Sequence, residues 1–204
     1  MLDLAAILLL AQTCAPQAAP RTLAAVAYAE SRFDPLAIGV NRGPRPARRP
    51  RDAGDAARIA RDLLQRGPNL DLGVAQINSD NLDWLGLTPE AAFDPCRNLA
   101  AAAVVLQAGY RPQEGETPQQ SLRVAFSRYN TGHPGRGFRN GYVARVEAAA
   151  EALGLVEAGP EIPPPPAFAD APQPPVAAWD VFGRARSAVS LVFASTESSR
   201  GGQR

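Results

Sequence analysis

Leu23-Ala24-Ala25-Val26-Ala27-Tyr28-Ala29-Glu30-Ser31-Arg32-Phe33-Asp34-Pro35 places Leu23, Val26, Ala27, Glu30 and Phe33 at the i, i+3, i+4, i+7 spacing of one helix face. Four members of that face are apolar and the fifth is a carboxylic acid. The neighbours of Glu30 at i±3 and i±4 are Val26, Ala27, Phe33 and Asp34, so no cation one turn away holds its charge. A glutamate that is desolvated and unpaired has a raised pKa, the property a general acid needs near neutral pH. Asp34, directly before Pro35, reads as the cap of a turn.

Further along, helix signals dominate. Thr117-Pro118-Gln119-Gln120 supplies an N-cap, a proline at the first helical position and a capping-box glutamine. Asp94-Pro95 opens a helix over Arg97 to Leu106, and Thr88-Pro89 opens a shorter turn. Helical periodicity also covers Thr22 to Phe33, Asp55 to Gln65, and Tyr142 to Leu153 with Gly154 as the stop. Alternating β-branched runs bounded by turn pairs are lacking, so the expected fold class is all-α.

The chain has 204 residues, 46% hydrophobic and 20% charged, enough for one globular core and some additional sequence. A formal net charge of +1 gives no reason to expect nucleic acid or an anionic membrane surface as partner. All the basic residues are arginines, in keeping with a compositional bias and not a functional patch. With Cys14 and Cys96 as its two cysteines and His133 as its one histidine, the chain lacks the clustered N and S ligands of a zinc site. His133, between Gly132 and Pro134, reads as a solvated loop residue.

Leu4 to Leu10 is apolar but far shorter than the roughly 20 residues of a membrane span. Residues 1–13 admit two readings: the core of an export signal, with Asp3 in place of the usual positive charge, or a short helix packed on the domain. Asn41 to Arg51, with five arginines among Pro and Gly, reads as a loop. It is either a solvated connector or a basic strip beside a cleft that holds an anionic polymer. From Ala158 prolines accumulate, so the domain is expected to occupy residues 14–157 and a proline-rich, largely disordered tail residues 158–204. Within that tail, Trp179 to Phe193 is apolar enough for a short docking helix.

Two further blocks carry chemistry. Leu122, Ala125, Phe126 and Tyr129 share a helix face, which points the Tyr129 phenol inward. Its hydroxyl then bonds either a backbone carbonyl or a carboxyl across a cleft. Gly73-Val74-Ala75-Gln76-Ile77-Asn78 sets two amides, Gln76 and Asn78, beside apolar residues, and amides both donate to and accept from sugar hydroxyls. Asn130-Thr131-Gly132 and the pair Gly39 and Asn41 are ordinary turn chemistry by themselves.

In order, ESRFDP, AIGVN, NLDLGVAQIN, FDPC, AFSRYNTG and GYVARV resemble the soluble lytic transglycosylases of goose-type lysozyme fold, most of all the branch accompanying type IV secretion and conjugation systems. The resemblance runs from about Cys14 to Val146. It implies an all-α, lysozyme-like domain acting on peptidoglycan, with Glu30 as catalytic acid/base and Tyr129 orienting it. Ser31, Gln76, Asn78 and Asn130 would position or bind the glycan. Glu30 would protonate the oxygen between N-acetylmuramic acid and N-acetylglucosamine, and the muramic acid's own hydroxyl would close an anhydro ring. Neither metal nor cofactor is implied. Two departures, Arg32 where the family often has Gly and Ala75 where it commonly has Met, bear on subsite shape. The substrate implied lies outside the cytoplasm, in the periplasm, where disulfides persist, so Cys14 and Cys96 are expected to pair. Two alternatives stand beside this reading: a hydrolytic muramidase, and a non-catalytic peptidoglycan-binding scaffold of a secretion apparatus partnered through the tail.

Overall fold

A computed structural model describes residues 1–156. The anticipated boundary at Glu157, the proline-rich tail and the docking stretch Trp179 to Phe193 lie outside the described residues. Helices dominate: α1 (Leu4–Cys14), α2 (Pro20–Ser31), α3 (Ala53–Leu64), α4 (Leu82–Leu85), α5 (Pro95–Gly109), α6 (Pro118–Thr131), α7 (Arg136–Arg139) and α8 (Tyr142–Ala152). Capping signals in the sequence find their partners. Asp94 Oδ1 accepts from the Arg97 N–H, and Thr117 and Gln120 form the reciprocal capping box. Gly154, at φ +63°, ends the last helix in the left-handed conformation.

One feature is absent from the sequence reading, an antiparallel sheet of β1 (Ile38–Val40), β2 (Leu70–Leu72) and β3 (Ile77–Asn78), in the order β1-β2-β3. Its strands are two or three residues long, too short for an alternation pattern to develop. Ile38 opposes Leu72, and Asp71 opposes Asn78. The sheet brings the Gln76 block back beside the end of α2.

The core gathers α1, α2, α5, α6 and α8 around Leu23, Val26, Leu99, Leu106, Leu122 and Phe126, all essentially inaccessible to solvent. Residues 4–14 are part of it: α1 buries Ile7 and Ala11 and lies against α2 and α5. A disulfide joins Cys14, the last residue of α1, to Cys96 in the first turn of α5, with Cα atoms 5.4 Å apart. It closes a long loop that contains α2, the sheet and the intervening turns, a constraint typically worth about 2–4 kcal/mol. No helix among the described residues is long and apolar enough to cross a membrane.

Asn98 fastens α5 to the sheet. Its buried amide donates to the carbonyls of Leu72 and Ala92 at 2.9 and 2.7 Å, and its oxygen accepts from the Ala75 N–H at 2.8 Å. Gly73 makes this approach feasible. Its φ is +75°, and a Cβ there would fall 2.3 Å from the Ala92 oxygen and 2.4 Å from Asn98 Nδ2. Replacing Asn98 by Leu keeps the volume and strands three backbone groups. We expect Asn98→Leu to destabilise the fold by roughly 3–5 kcal/mol in chemical denaturation, as three buried unpaired groups require.

Candidate active site

Glu30 sits one residue before the end of α2 and lines a cleft of about 540 Å³, together with Asp71, Gln76, Asn78, Trp84, Tyr129 and Asn130 among others. Its Oε1 accepts a hydrogen bond from the Tyr142 hydroxyl at 2.6 Å. Burial is the chief influence on the carboxyl and pushes its pKa up to about 7. The Tyr142 bond opposes that shift, the Asp71 charge adds to it and Arg145 opposes it more weakly. Among the described residues, no arginine makes an ion pair with Glu30.

Tyr142 is the site residue the sequence reading missed. It marks the start of α8, is 1% exposed, and approaches Glu30 from a helix more than a hundred positions away. Its phenol is held well above the ordinary tyrosine pKa, by burial first and then by the Glu30 charge, so it remains a proton donor in this bond. Two local signals were available: Gly141 at φ +78° turns the chain into α8, and Asn140 accepts from the Tyr142 N–H at 3.0 Å. Neither reveals that the ring points at an acid on α2.

The role given to Tyr129, orienting Glu30, is corrected in its direct form. Its hydroxyl donates to the Ala75 carbonyl at 2.7 Å and not to the carboxyl. It still lines the cleft, and the Glu30 charge contributes to raising its pKa, after burial. Tyr129 thus anchors the Gln76 loop to α6 beside the acid.

Ser31 does comparable work from the other side. Its Oγ donates to the Val74 carbonyl at 2.6 Å and accepts from the Asp34 N–H at 3.1 Å, tying the end of α2 to the same loop. It is not part of the cleft wall, so its place favours positioning over the glycan contact expected of it. Gln76 lines the cleft at φ +50°, and its Nε2 donates to the carbonyls of Gly73 and Ala37. The absence of a side chain at Gly39 is what admits it, since a Cβ there would lie 2.7 Å from Gln76 Oε1. Asn130 also lines the cleft, its Oδ1 accepting from Asn140 Nδ2 at 2.9 Å. Asp34 caps its turn, accepting from the Leu36 N–H.

Asn78 belongs to a polar ladder across the sheet. Asn78 and Asn69 exchange amide hydrogen bonds at 2.8 and 2.7 Å, and Asn78 Nδ2 also donates to Asp71 Oδ1 at 2.7 Å. Asn41 Nδ2 donates to the other Asp71 oxygen at 2.9 Å and to Asn69 at 2.6 Å. The ladder fixes Asp71, a second carboxylate in the cleft that the sequence reading passed over. Burial raises its pKa, and the bonds from Asn78 and Asn41 hold it back.

Neither of the two departures, Arg32 and Ala75, lines the cleft. Arg32 occupies the left-handed position that ends α2, at φ +57°, where glycine is favoured for backbone reasons alone, and its guanidinium lies 4.4 Å from the Tyr28 ring centre. Ala75 is 1% exposed, its side chain facing the core. His133 is exposed in its loop, accepting from the Gly135 N–H. Among the described residues, no group of His, Cys, Asp and Glu side chains is placed to hold a metal ion.

The Transglycosylase SLT domain family matches residues 8–150. The chain is 46% identical over 144 residues to Protein virB1 of Agrobacterium fabrum, covering 70% of this chain and 58% of that one. It is 42% identical over 180 residues to Protein virB1 of Rhizobium radiobacter, covering 85% and 70%. To the Type IV secretion system protein virB1 of Brucella abortus it is 42% identical over 152 residues, covering 71% and 63%. It therefore matches less than two thirds of the length of the first and third of these relatives. No solved structure matches it. The chain belongs to the Transglycosylase SLT domain family.

The raised Glu30 pKa has a measurable stability consequence. A carboxyl whose folded pKa stands above its unfolded value stabilises the fold while protonated, and that contribution disappears as pH rises from about 4.5 to about 7. Glu30→Gln removes the titration. We expect the variant to gain about 2–3 kcal/mol relative to wild type between about pH 5 and about pH 8, read by urea denaturation at both pH values.

Proposed function

We propose that this member of the Transglycosylase SLT domain family cleaves the β-1,4 bond between N-acetylmuramic acid and N-acetylglucosamine in peptidoglycan, leaving a 1,6-anhydro-muramic end. One observation carries the reading: a desolvated carboxylic acid without a cationic partner, poised near neutrality, in a cleft walled by amides and the exposed Trp84. Because the Tyr142 hydroxyl occupies Oε1, the acidic proton of neutral Glu30 resides on Oε2.

That proton passes to the glycosidic oxygen as its bond to C1 of the muramic acid breaks. The substrate's N-acetyl oxygen bonds to C1 and shares the positive charge. Glu30, now ionised and still held by Tyr142, takes the proton from the muramic acid 6-hydroxyl as that oxygen attacks C1 and displaces the acetyl oxygen. Atoms balance without water, and Glu30 ends protonated as it began. A raised pKa serves both halves, since an ordinary glutamate would be ionised before it could donate.

Asp71 supports a second reading. Inverting glycosidases place a carboxylate base opposite the acid to activate water, and Asp71 lines the same cleft. Both its oxygens are engaged by amide donors, which suits a fixed wall better than a base. The resemblance of the relatives extends the proposal to a periplasmic enzyme that opens the wall locally for a type IV secretion apparatus, with residues 158–204 as its contact to that apparatus.

Incubation with purified sacculi, followed by mass spectrometry of the released muropeptides, tests this directly. The expected products are anhydro-muropeptides, retained with Asp71→Asn and reduced by about 10²–10⁴-fold with Glu30→Gln. Reducing-end products that vanish with Asp71→Asn would make the enzyme a hydrolase.

A further inference from the structure

Beside the cleft lies a second cavity, of about 780 Å³, which shares Asn41, Asn78 and Asp80 with the first. It is enclosed by the loop after β1 and the connection from α3 to β2. The two loops meet where the Asn41 N–H donates to the Asn69 carbonyl at 3.1 Å, and both turn through left-handed glycines, Gly43 at φ +112° and Gly67 at φ +91°. From these loops Arg42 and Arg66 line the second cavity, and neither lines the first.

The arginines of the basic loop divide by role. Arg48 grips buried Asp55 through both nitrogens, at 2.5 and 2.7 Å, and Arg51 reaches the same carboxylate, so these two hold the loop to the start of α3, whose own Arg58 also pairs with Asp55. In the first cleft, Arg111 and Arg128 donate to the backbone carbonyls of Ala108 and Gly109. The guanidiniums of Arg42 and Arg66 are committed to no acid or carbonyl among the described residues. Asp80 stands on the wall common to both cavities, which leaves the two guanidiniums as the charges particular to the second.

We infer that the second cavity is a subsite for the carboxylates of the stem peptide borne by the muramic acid, with Arg42 and Arg66 as the recognising groups. The inference rests on the proposed substrate. A glycan lying along the first cleft projects its lactyl-linked peptide sideways, and that peptide is rich in carboxylates. Guanidinium pairs bind carboxylates through parallel N–H donors. The two cavities adjoin at the Asn41 and Asn78 amides, so a strand in one places a peptide at the mouth of the other.

The test uses the full chain carrying Glu30→Gln, so that binding is read apart from cleavage. Its affinity is measured by calorimetry for glycan tetrasaccharides with intact stem peptides, with the same peptides amidated at their carboxyls, and with the peptides removed. Arg42→Gln with Arg66→Gln should weaken binding of the intact ligand about three- to tenfold, as two exposed charge pairs allow. Amidation should produce the same loss without the substitutions, and the peptide-free ligand should bind both proteins equally. Both arginines are exposed, so the fold should tolerate the change. Equal affinity of both proteins for the intact ligand overturns the subsite, as does an equal loss for the peptide-free one. Peptide-selective binding by a chain whose Glu30 form cuts no glycan would keep the subsite and reject the proposed reaction.

Discussion

A carboxylic acid placed at the end of an apolar helix face, without a cation to neutralise it, is the constraint around which this fold is arranged. Desolvation raises the pKa of Glu30 to about 7 and makes the ionised form costly. An arginine partner would relieve that cost and abolish the proton donor. A tyrosine hydroxyl relieves it in part, since Tyr142 stabilises the anion by one hydrogen bond without adding charge. The acid is therefore tuned by a neutral donor from α8, while burial, with a smaller contribution from the Asp71 charge, keeps its pKa high.

Holding this geometry requires the turn between β2 and β3 to be rigid, and much of the surrounding polar structure serves that end. Asn98 satisfies the backbone of Leu72 and Ala75 from below, Ser31 bonds Val74 from α2, and Tyr129 bonds Ala75 from α6. Three helices thus converge on a few residues of loop. Gly73 and Gly39 are the places where backbone and amide come too close for a side chain. The Asn41, Asn69, Asp71 and Asn78 ladder stiffens the far wall in the same way, and Asn41, Asp71 and Asn78 also line the cleft.

Elements with strong local signals could be read from sequence: the capped helices and the inward acid, whereas the left-handed residue that ends α2 at Arg32, short of the periodicity's reach to Phe33, could not. What escaped was set by contacts distant in sequence. Tyr142 heads a helix whose periodicity is ordinary, and only packing of α8 on α2 aims it at Glu30. Asp71 sits in a strand too short to show alternation, so its direction was not legible. Tyr129 lay on the correct face, yet face alone does not choose between a carboxyl and a carbonyl as partner. The resemblance implied positioning or glycan binding for Ser31, and the fold uses its hydroxyl to join α2 to the loop.

The proton-donor role stands or falls with the ionisation of one group. Carbon-detected NMR titration of the Glu30 carboxyl, assigned by its loss in Glu30→Gln, measures that directly. A midpoint near 7 is expected for the desolvated acid that accepts its hydrogen bond from Tyr142. A midpoint in the ordinary glutamate range, below about 5, would contradict it.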